Sequence, residues 1–294
     1  MLSTQELKTY AASLGLVATG VCAATANSQL KEQLKKRRAS FPLCSFEAED
    51  ICNRIDPSKL MPNAKSVFVC LFPYYINEVT PGNLSRYAMV CDYHQVAGEY
   101  LAKLTAFIKE KEPNARCLPL CDTSPMVDRW FAYQAGLGFF GKNQMLIHPE
   151  FGSWFFIGSL LLDIPLEADA PLAVTCKNCD ACIRSCPGGA LKDDFGFDCE
   201  KCISYLTQKK ALTESQKAVV HSQNSVYGCD VCQKVCPHNA NVPNTTIAEF
   251  YQELIIKLDK NTIENMSNRE FKKQYKNYAF SWCSRQTILK NFKD

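Results

Sequence analysis

Eight of the chain's 17 cysteines fall into two runs whose spacing can hold metal. The first is Cys176-x2-Cys179-x2-Cys182-x3-Cys186-Pro187. The second is Cys229-x2-Cys232-x3-Cys236-Pro237, with Cys202 upstream in the place of its missing first ligand. A [4Fe-4S] cubane needs four converging thiolates. A tight loop supplies three, and the cysteine before proline ligates the other cluster in two-cluster ferredoxins. Crossing the fourth ligands gives two sets: Cys176, Cys179, Cys182 with Cys236, and Cys202, Cys229, Cys232 with Cys186. Zinc sites use the same CxxC pairs, but zinc leaves the repeated x3-Cys-Pro ending unexplained. Cys199, three residues before Cys202, reads as a bystander.

Two such clusters move electrons one at a time and do not by themselves transform an organic substrate. The roughly 170 residues ahead of them must therefore hold a cofactor or a docking surface. The other cysteines (Cys22, Cys44, Cys52, Cys70, Cys91, Cys117, Cys121, Cys199 and Cys283) read as small apolar residues of the interior. Free thiols at this density point to a reducing cytosol rather than a disulfide scaffold. The N-terminal stretch lacks the basic and apolar regions of a signal peptide, and no run of about 18 apolar residues occurs. The expectation is a cytoplasmic protein with no membrane partner, and a monomer, since no self-complementary apolar seam is evident.

The elements that must position this chemistry alternate between helix and strand. Ser3 and Glu6 form a capping-box signature for a first helix ending near Gly15. Val17 to Ala23 reads as a strand and Ser28 to Arg38 as a basic helix. Ser66 to Phe72 suits a buried central strand. Val96, Tyr100, Leu101, Leu104, Phe107 and Ile108 share one face of a long helix from Tyr93 to Glu110. Cys117 to Cys121 reads as a strand, followed by a helix that Ser124-Pro125 and Asp128 open and Gly136 ends. Met145 to Leu162 reads as two strands joined through Pro149 to Gly152. The fold expected is an α/β domain with a mixed sheet over residues 1–170, a ferredoxin-like double-cluster domain over 171–245 and a C-terminal helical segment over 246–294. The last contains helices at Ile247 to Leu258 and Ser267 to Asn277, with Ser267 and Glu270 as a second capping box. From Ser267 onward, seven basic residues face Glu270 and Asp294, so this tail carries +5 while the rest of the chain carries −2. A basic edge suits a polyanion such as RNA, though a solvated helix face would look the same.

Several stretches in order resemble epoxyqueuosine reductase. They are Arg54-Ile55-Asp56-Pro57, Leu60-Met61-Pro62-Asn63-Ala64-Lys65-Ser66, Ser85-Arg86-Tyr87-Ala88, Asp92-Tyr93-His94 and Asp122-Thr123-Ser124-Pro125. Ala135-Gly136-Leu137-Gly138, Gly141-Lys142-Asn143 and His148-Pro149-Glu150-Phe151-Gly152-Ser153 continue the likeness. Cys202-Ile203-Ser204-Tyr205-Leu206-Thr207 and Gly228-Cys229-Asp230 complete it. The likeness runs from about residue 4 to the C-terminus, and its specificity lies in the number of motifs rather than in any one.

The resemblance implies base-off cobalamin held between the α/β domain and the cluster domain. Electrons from an unidentified low-potential donor would pass through both clusters to cobalt and on to the epoxide of epoxyqueuosine in a tRNA anticodon loop, at the wobble position, giving queuosine. An epoxide oxygen leaving as alkoxide needs a general acid, and the family's acid falls on Asp122. A carboxyl there would be neutral near pH 7 if apolar walls desolvate it. Without the resemblance, Asp122 would read as a helix-start residue. Family positions near the corrin fall on Arg54, Ser85, Asp122, Asn143 and Asp230. Arg54 and Asn143 can donate to the amide- and phosphate-bearing periphery. Tyr93 and His94 would line the pocket, with His94 excluded as a cobalt ligand by the family pattern. Many relatives continue into a helical-repeat domain, which places the tRNA grip here on the core and the short basic tail.

Other readings remain open at this level. A reductive-dehalogenase-like cobalamin reductase shares the architecture. A plain iron–sulfur electron carrier would leave the first domain unexplained, and a tRNA-binding module would dispense with the chemistry.

Overall fold

The structure is a computed structural model that describes residues 2–177 and 179–293; Asp294, counted in the basic tail, lies outside them. The first helix, Thr4–Ser13, is opened by the expected capping box of Ser3 and Glu6. The central sheet has four strands in the order β1 (Thr19–Ala23), β2 (Ser66–Pro73), β6 (Phe155–Leu162) and β3 (Cys117–Leu120). Strands β4 (Phe139–Phe140) and β5 (Leu146–Ile147) form a separate pair.

Every ladder of the central sheet is antiparallel. The parallel pairing that a mixed sheet requires occurs, among the described residues, only in the isolated bridge of Leu84 with Tyr227. Its absence from the sheet has a topological cause. The chain leaves β2, runs through the long helix Tyr93–Lys111 and returns in β3, parallel to β2, as a βαβ crossover would. Strand β6 then inserts between the two and converts a parallel neighbour into two antiparallel ones.

Strand β2 is buried along its whole length. Phe68, Cys70 and Phe72 pack on one side with Leu7, Leu101, Leu104 and Ile108 from the two covering helices. Val67, Val69 and Leu71 pack on the other with Phe131 and Ala132 of the helix Asp128–Gln134. A strand covered on both faces reads as a continuous apolar run, which is why it was visible in sequence.

Two expectations are corrected by tertiary hydrogen bonds. The strands in Met145 to Leu162 exist but do not pair with each other: β5 pairs with β4, and β6 with β2 and β3. The expected helix from Ile247 to Leu258 is reduced to a 3-10 turn, Ala248–Tyr251. Beyond it the backbone is spent elsewhere. Ile255 N donates to Met89 O, and Asn83 brackets Leu258 through both of its amide atoms. The helix Asn268–Gln274 carries the Ser267–Glu270 capping box and packs Phe271 with Phe280 and Ile288 against Leu84 and Met89. No helix of the described residues is long and apolar enough to cross a membrane.

A buried polar knot fixes the cluster-bearing segment to the sheet. Gln233 Nε2 donates to Ser153 O at 3.0 Å and Asn239 Nδ2 to Ser153 Oγ at 2.9 Å, while Ser153 N donates to Asn239 Oδ1 at 2.8 Å. Gly152 makes this approach possible: its φ is +56°, and a Cβ there would lie 1.9 Å from Asn239 Oδ1.

Candidate functional site

The eight cysteines of the two runs line two cavities, with Cys176 in the wall of both. Cys176, Cys179, Cys182 and Cys236 all line one small cavity. Cys186, Cys202, Cys229 and Cys232 all line a second, much larger one of about 1040 Å³. The electrostatics follow the same partition. Burial raises the Cys182 thiol and the neighbouring Cys176 and Cys236 add to it. Burial likewise pushes Cys229 up to about 11, with Cys202 and Cys186 adding. Metal must displace these protons, so loading the sites releases them. The short helices Ala181–Ser185 and Val231–Lys234, which carry Cys182 and Cys232, pack against each other and bring the two runs together.

Of the remaining cysteines, Cys22, Cys70, Cys121, Cys199 and Cys283 are buried, Cys44, Cys91 and Cys117 are partly buried, and Cys52 is exposed. Cys199 Sγ points to Pro42 O at 3.7 Å and does not line the large cavity.

That cavity lies between the α/β elements and the cluster segment. Its wall includes Arg37 of the helix Ser28–Ser40, Tyr74 at the end of β2, Tyr93, Arg129, Trp130, and the loop around Phe195. Of the sequence-predicted residues, Arg54, Tyr93 and Asn143 line it; Asp122 does not, and its side chain is exposed rather than desolvated by apolar walls as expected. Arg54 pairs with Glu47, which also takes Arg37. Burial lowers the Arg54 pKa, and its Nε has no partner among the described residues. Asn143 is buried, donates to Cys232 O at 3.5 Å and accepts from Met145 N at 3.2 Å.

Ser85 and Asp230 are not in the cavity wall. Both are buried beside it, where Asp230 Oδ2 accepts from Arg86 N at 2.7 Å. Ser85 Oγ and Asp230 Oδ1 are left without partners among the described residues. Burial raises the Asp230 pKa. Gly228, at φ +75°, lets this joint close, since a Cβ there would meet Ser85 Oγ at 2.0 Å.

Asp122 sits at a left-handed φ of +56° inside a turn closed by Thr123 N donating to Cys121 O at 2.6 Å. Such a turn is strained and needs outside support. Tyr93 supplies some: its Oη donates to Asp122 Oδ2 at 2.5 Å, and Tyr93 itself lines the cavity. Burial, with the Asp122 charge adding, raises the phenol pKa far enough to keep it a donor. His94 does not line the cavity; its Nδ1 lies 2.7 Å from Asp92 Oδ1.

Sequence reasoning missed two neighbours on the same segment. Asp128, read only as a helix-start residue, lies near Asp122, and burial, with the Asp122 charge adding, pushes its pKa up to about 7. Arg129 reaches into the cavity and donates to Gln144 O. Neither belongs to a spaced motif; only the fold brings them to Asp122.

Comparison with known proteins agrees with this layout. A family model described as "4Fe-4S double cluster binding domain" matches residues 175–239, and one described as "Epoxyqueuosine reductase QueG, DUF1730" matches residues 54–128. The chain is 33% identical to the epoxyqueuosine reductase of Staphylococcus aureus, over 99% of this chain and 80% of that one. It is 30% identical to that of Prochlorococcus marinus, over 97% and 96%. A crystal structure of epoxyqueuosine reductase with a tRNA-Tyr epoxyqueuosine-modified tRNA stem loop superposes with a TM-score of 0.90 at 33% identity, covering 98% of this chain and 79% of that one. A catabolic reductive dehalogenase shares the fold at 16% identity and a TM-score of 0.51, over 99% and 38%. The chain belongs to the epoxyqueuosine reductase family.

Proposed function

We propose that the chain reduces epoxyqueuosine to queuosine at the wobble position of tRNA, with cobalamin in the large cavity and two [4Fe-4S] clusters feeding it electrons. One observation carries this reading: all four thiols of the second cysteine set form part of the wall of that cavity. A cluster there would be in position to exchange electrons with whatever the cavity holds, while of the first set only Cys176 reaches that wall and Cys179 is exposed.

The cavity suits a corrin. At about 1040 Å³ it exceeds the usual span of small-ligand pockets. It offers Arg54, Asn143 and aromatic walls, and Arg54 Nε and Trp130 Nε1, both without a partner among the described residues, belong to wall residues. Arg54 and Asn143 would hold the amide and phosphate fringe. Ser85 and Asp230, with free oxygens beside the wall, would act on the same rim. When bound, cobalamin supplies a cobalt centre that collects single electrons and delivers them to a carbon–oxygen bond.

Reducing an epoxide to an alkene and water takes two electrons and two protons, and the protons fall to the chain. Asp122 would protonate the departing oxygen, a role geometry tests before pKa. Tyr93 orients its carboxyl.

The substrate reading rests on charge and aromatic surface. Lys36, Arg37, Arg54 and Arg129 line the cavity against Glu47 and Asp194, an excess suited to phosphate. Phe46, also in the wall, is half-exposed and meets the half-exposed Trp282 edge to face at 5.5 Å. Unstacked RNA bases are commonly held on such rings. In the basic tail, Lys272 and Arg285 are engaged with backbone carbonyls. The grip therefore falls more on the cavity mouth than on the tail. The same reading takes the chain to act as a cytoplasmic monomer, reduced by a low-potential donor, with the domain limits expected from sequence.

The test is cobalamin retention. Protein reconstituted with iron and sulfide without oxygen is mixed with cobalamin, desalted, and examined by visible spectrum and cobalt content. Stoichiometric base-off cobalamin supports the reading. Clusters without cobalamin would leave only electron transfer.

A further inference from the structure

His238 has no part in the chemistry above. It follows Cys236-Pro237 in the turn Pro237–Asn239 and lines the small cavity shared by Cys176, Cys179, Cys182 and Cys236. The ring as a whole is partly exposed, yet its Nε2 is shielded from solvent and has no hydrogen-bond partner among the described residues. The ring is pinned edge-on against Phe139, with centroids 5.1 Å apart at 70°. Phe139 in turn packs with Ile147, Cys176 and Cys236, so the imidazole is held against the cysteine set by an apolar wall.

A buried polar nitrogen without a partner calls for one. The groups that a [4Fe-4S] cluster would present here, thiolate and sulfide sulfurs, are acceptors only. The tautomer that complements them carries its proton on Nε2.

We propose that His238 donates a hydrogen bond from Nε2 to a sulfur of the first cluster and thereby raises its reduction potential. The inference rests on the double-cluster assignment of residues 175–239. Hydrogen bonds to sulfur are among the determinants of cluster potential. A donor stabilises the reduced cluster, whose sulfurs carry more negative charge, more than the oxidised one. Since only Cys176 of the first set reaches the large cavity and Cys179 is exposed, His238 would set how readily the chain accepts an electron from outside.

The test uses the full chain with both clusters, in three forms: unsubstituted, His238→Phe, which keeps the ring against Phe139, and His238→Gln, which keeps a side-chain N–H. Iron and sulfide content is measured first, so that loss of a cluster is separated from loss of the hydrogen bond. Redox titration followed by electron paramagnetic resonance should then show one of two midpoints moving to more negative potential in His238→Phe and staying near its original value in His238→Gln. In protein labelled with ¹⁵N-histidine, pulsed measurements on the reduced first cluster should show a nitrogen coupling that both variants lose. Unmoved midpoints in His238→Phe with full iron content would overturn the proposal. So would absence of a histidine coupling in the unsubstituted protein, a result that depends on no variant.

Discussion

Tyr93 Oη stands 2.5 Å from Asp122 Oδ2 and donates to it, joining a residue of the cavity wall to a carboxylate whose backbone is held in a left-handed turn. The phenol comes from the first turn of the long helix and the carboxylate from the end of β3, so the packing of that helix on the sheet sets their distance.

If Asp122 is the acid, Asp122→Asn should lower turnover by roughly 10²- to 10⁴-fold, the usual worth of general acid catalysis. Retained cobalamin and iron should not change. Comparing single-turnover rates with cofactor content checks both halves.

The cysteine partition predicts separable losses. Cys236→Ser should remove the first cluster and Cys202→Ser the second, each leaving half the iron. Only Cys202→Ser should disturb the spectrum of bound corrinoid, because its set alone is complete in the large cavity wall.

Arg54 lines that wall with an Nε that has no partner among the described residues. Arg54→Leu should weaken cobalamin binding by about 10- to 100-fold, from the 1.5–3 kcal/mol typical of a hydrogen bond to a charged group. Equilibrium titration of the apoprotein followed by its visible spectrum measures it.

Asp128 gives a pH signature. Its carboxyl is pushed up to about 7 in the folded chain from an ordinary value of 3.8. Between those values the folded chain keeps a proton that the unfolded chain has released, so this group costs stability as pH rises through the window. Asp128→Asn removes the titration. Its melting temperature should therefore gain on that of the unsubstituted protein from pH 4 to pH 8, by about 2–4 °C for each kcal/mol recovered.

Gly152→Ala should destabilise the chain by about 1–3 kcal/mol, the usual cost of a left-handed non-glycine residue. The added Cβ also meets Asn239 Oδ1 in the knot that fixes the cluster segment. Denaturant melts measure the loss, and iron content reports whether the clusters loosen with it.

The legible parts of the fold were those whose signal is local. Ser66 to Phe72 reads as a strand because both of its faces are buried, and Ser3 with Glu6 opens a helix within one turn. The double-cluster segment was legible because a cubane constrains cysteine spacing. What escaped depended on partners distant in sequence. Alternation in Met145 to Leu162 marks two strands but cannot say that one joins β4 and the other β2 and β3. The Ile247 to Leu258 segment has helical spacing, yet Asn83 and Met89 claim its backbone. Asp128, Arg129 and His238 carry no motif, and their surroundings appear only once the chain is folded.

The most direct test of the account is nucleoside analysis of tRNA bearing epoxyqueuosine, incubated without oxygen with cluster-loaded protein and a strong reductant, with and without cobalamin. The account predicts conversion to queuosine only when cobalamin is present. Conversion without any corrinoid, or no conversion by protein that holds both clusters and stoichiometric cobalamin, would contradict it.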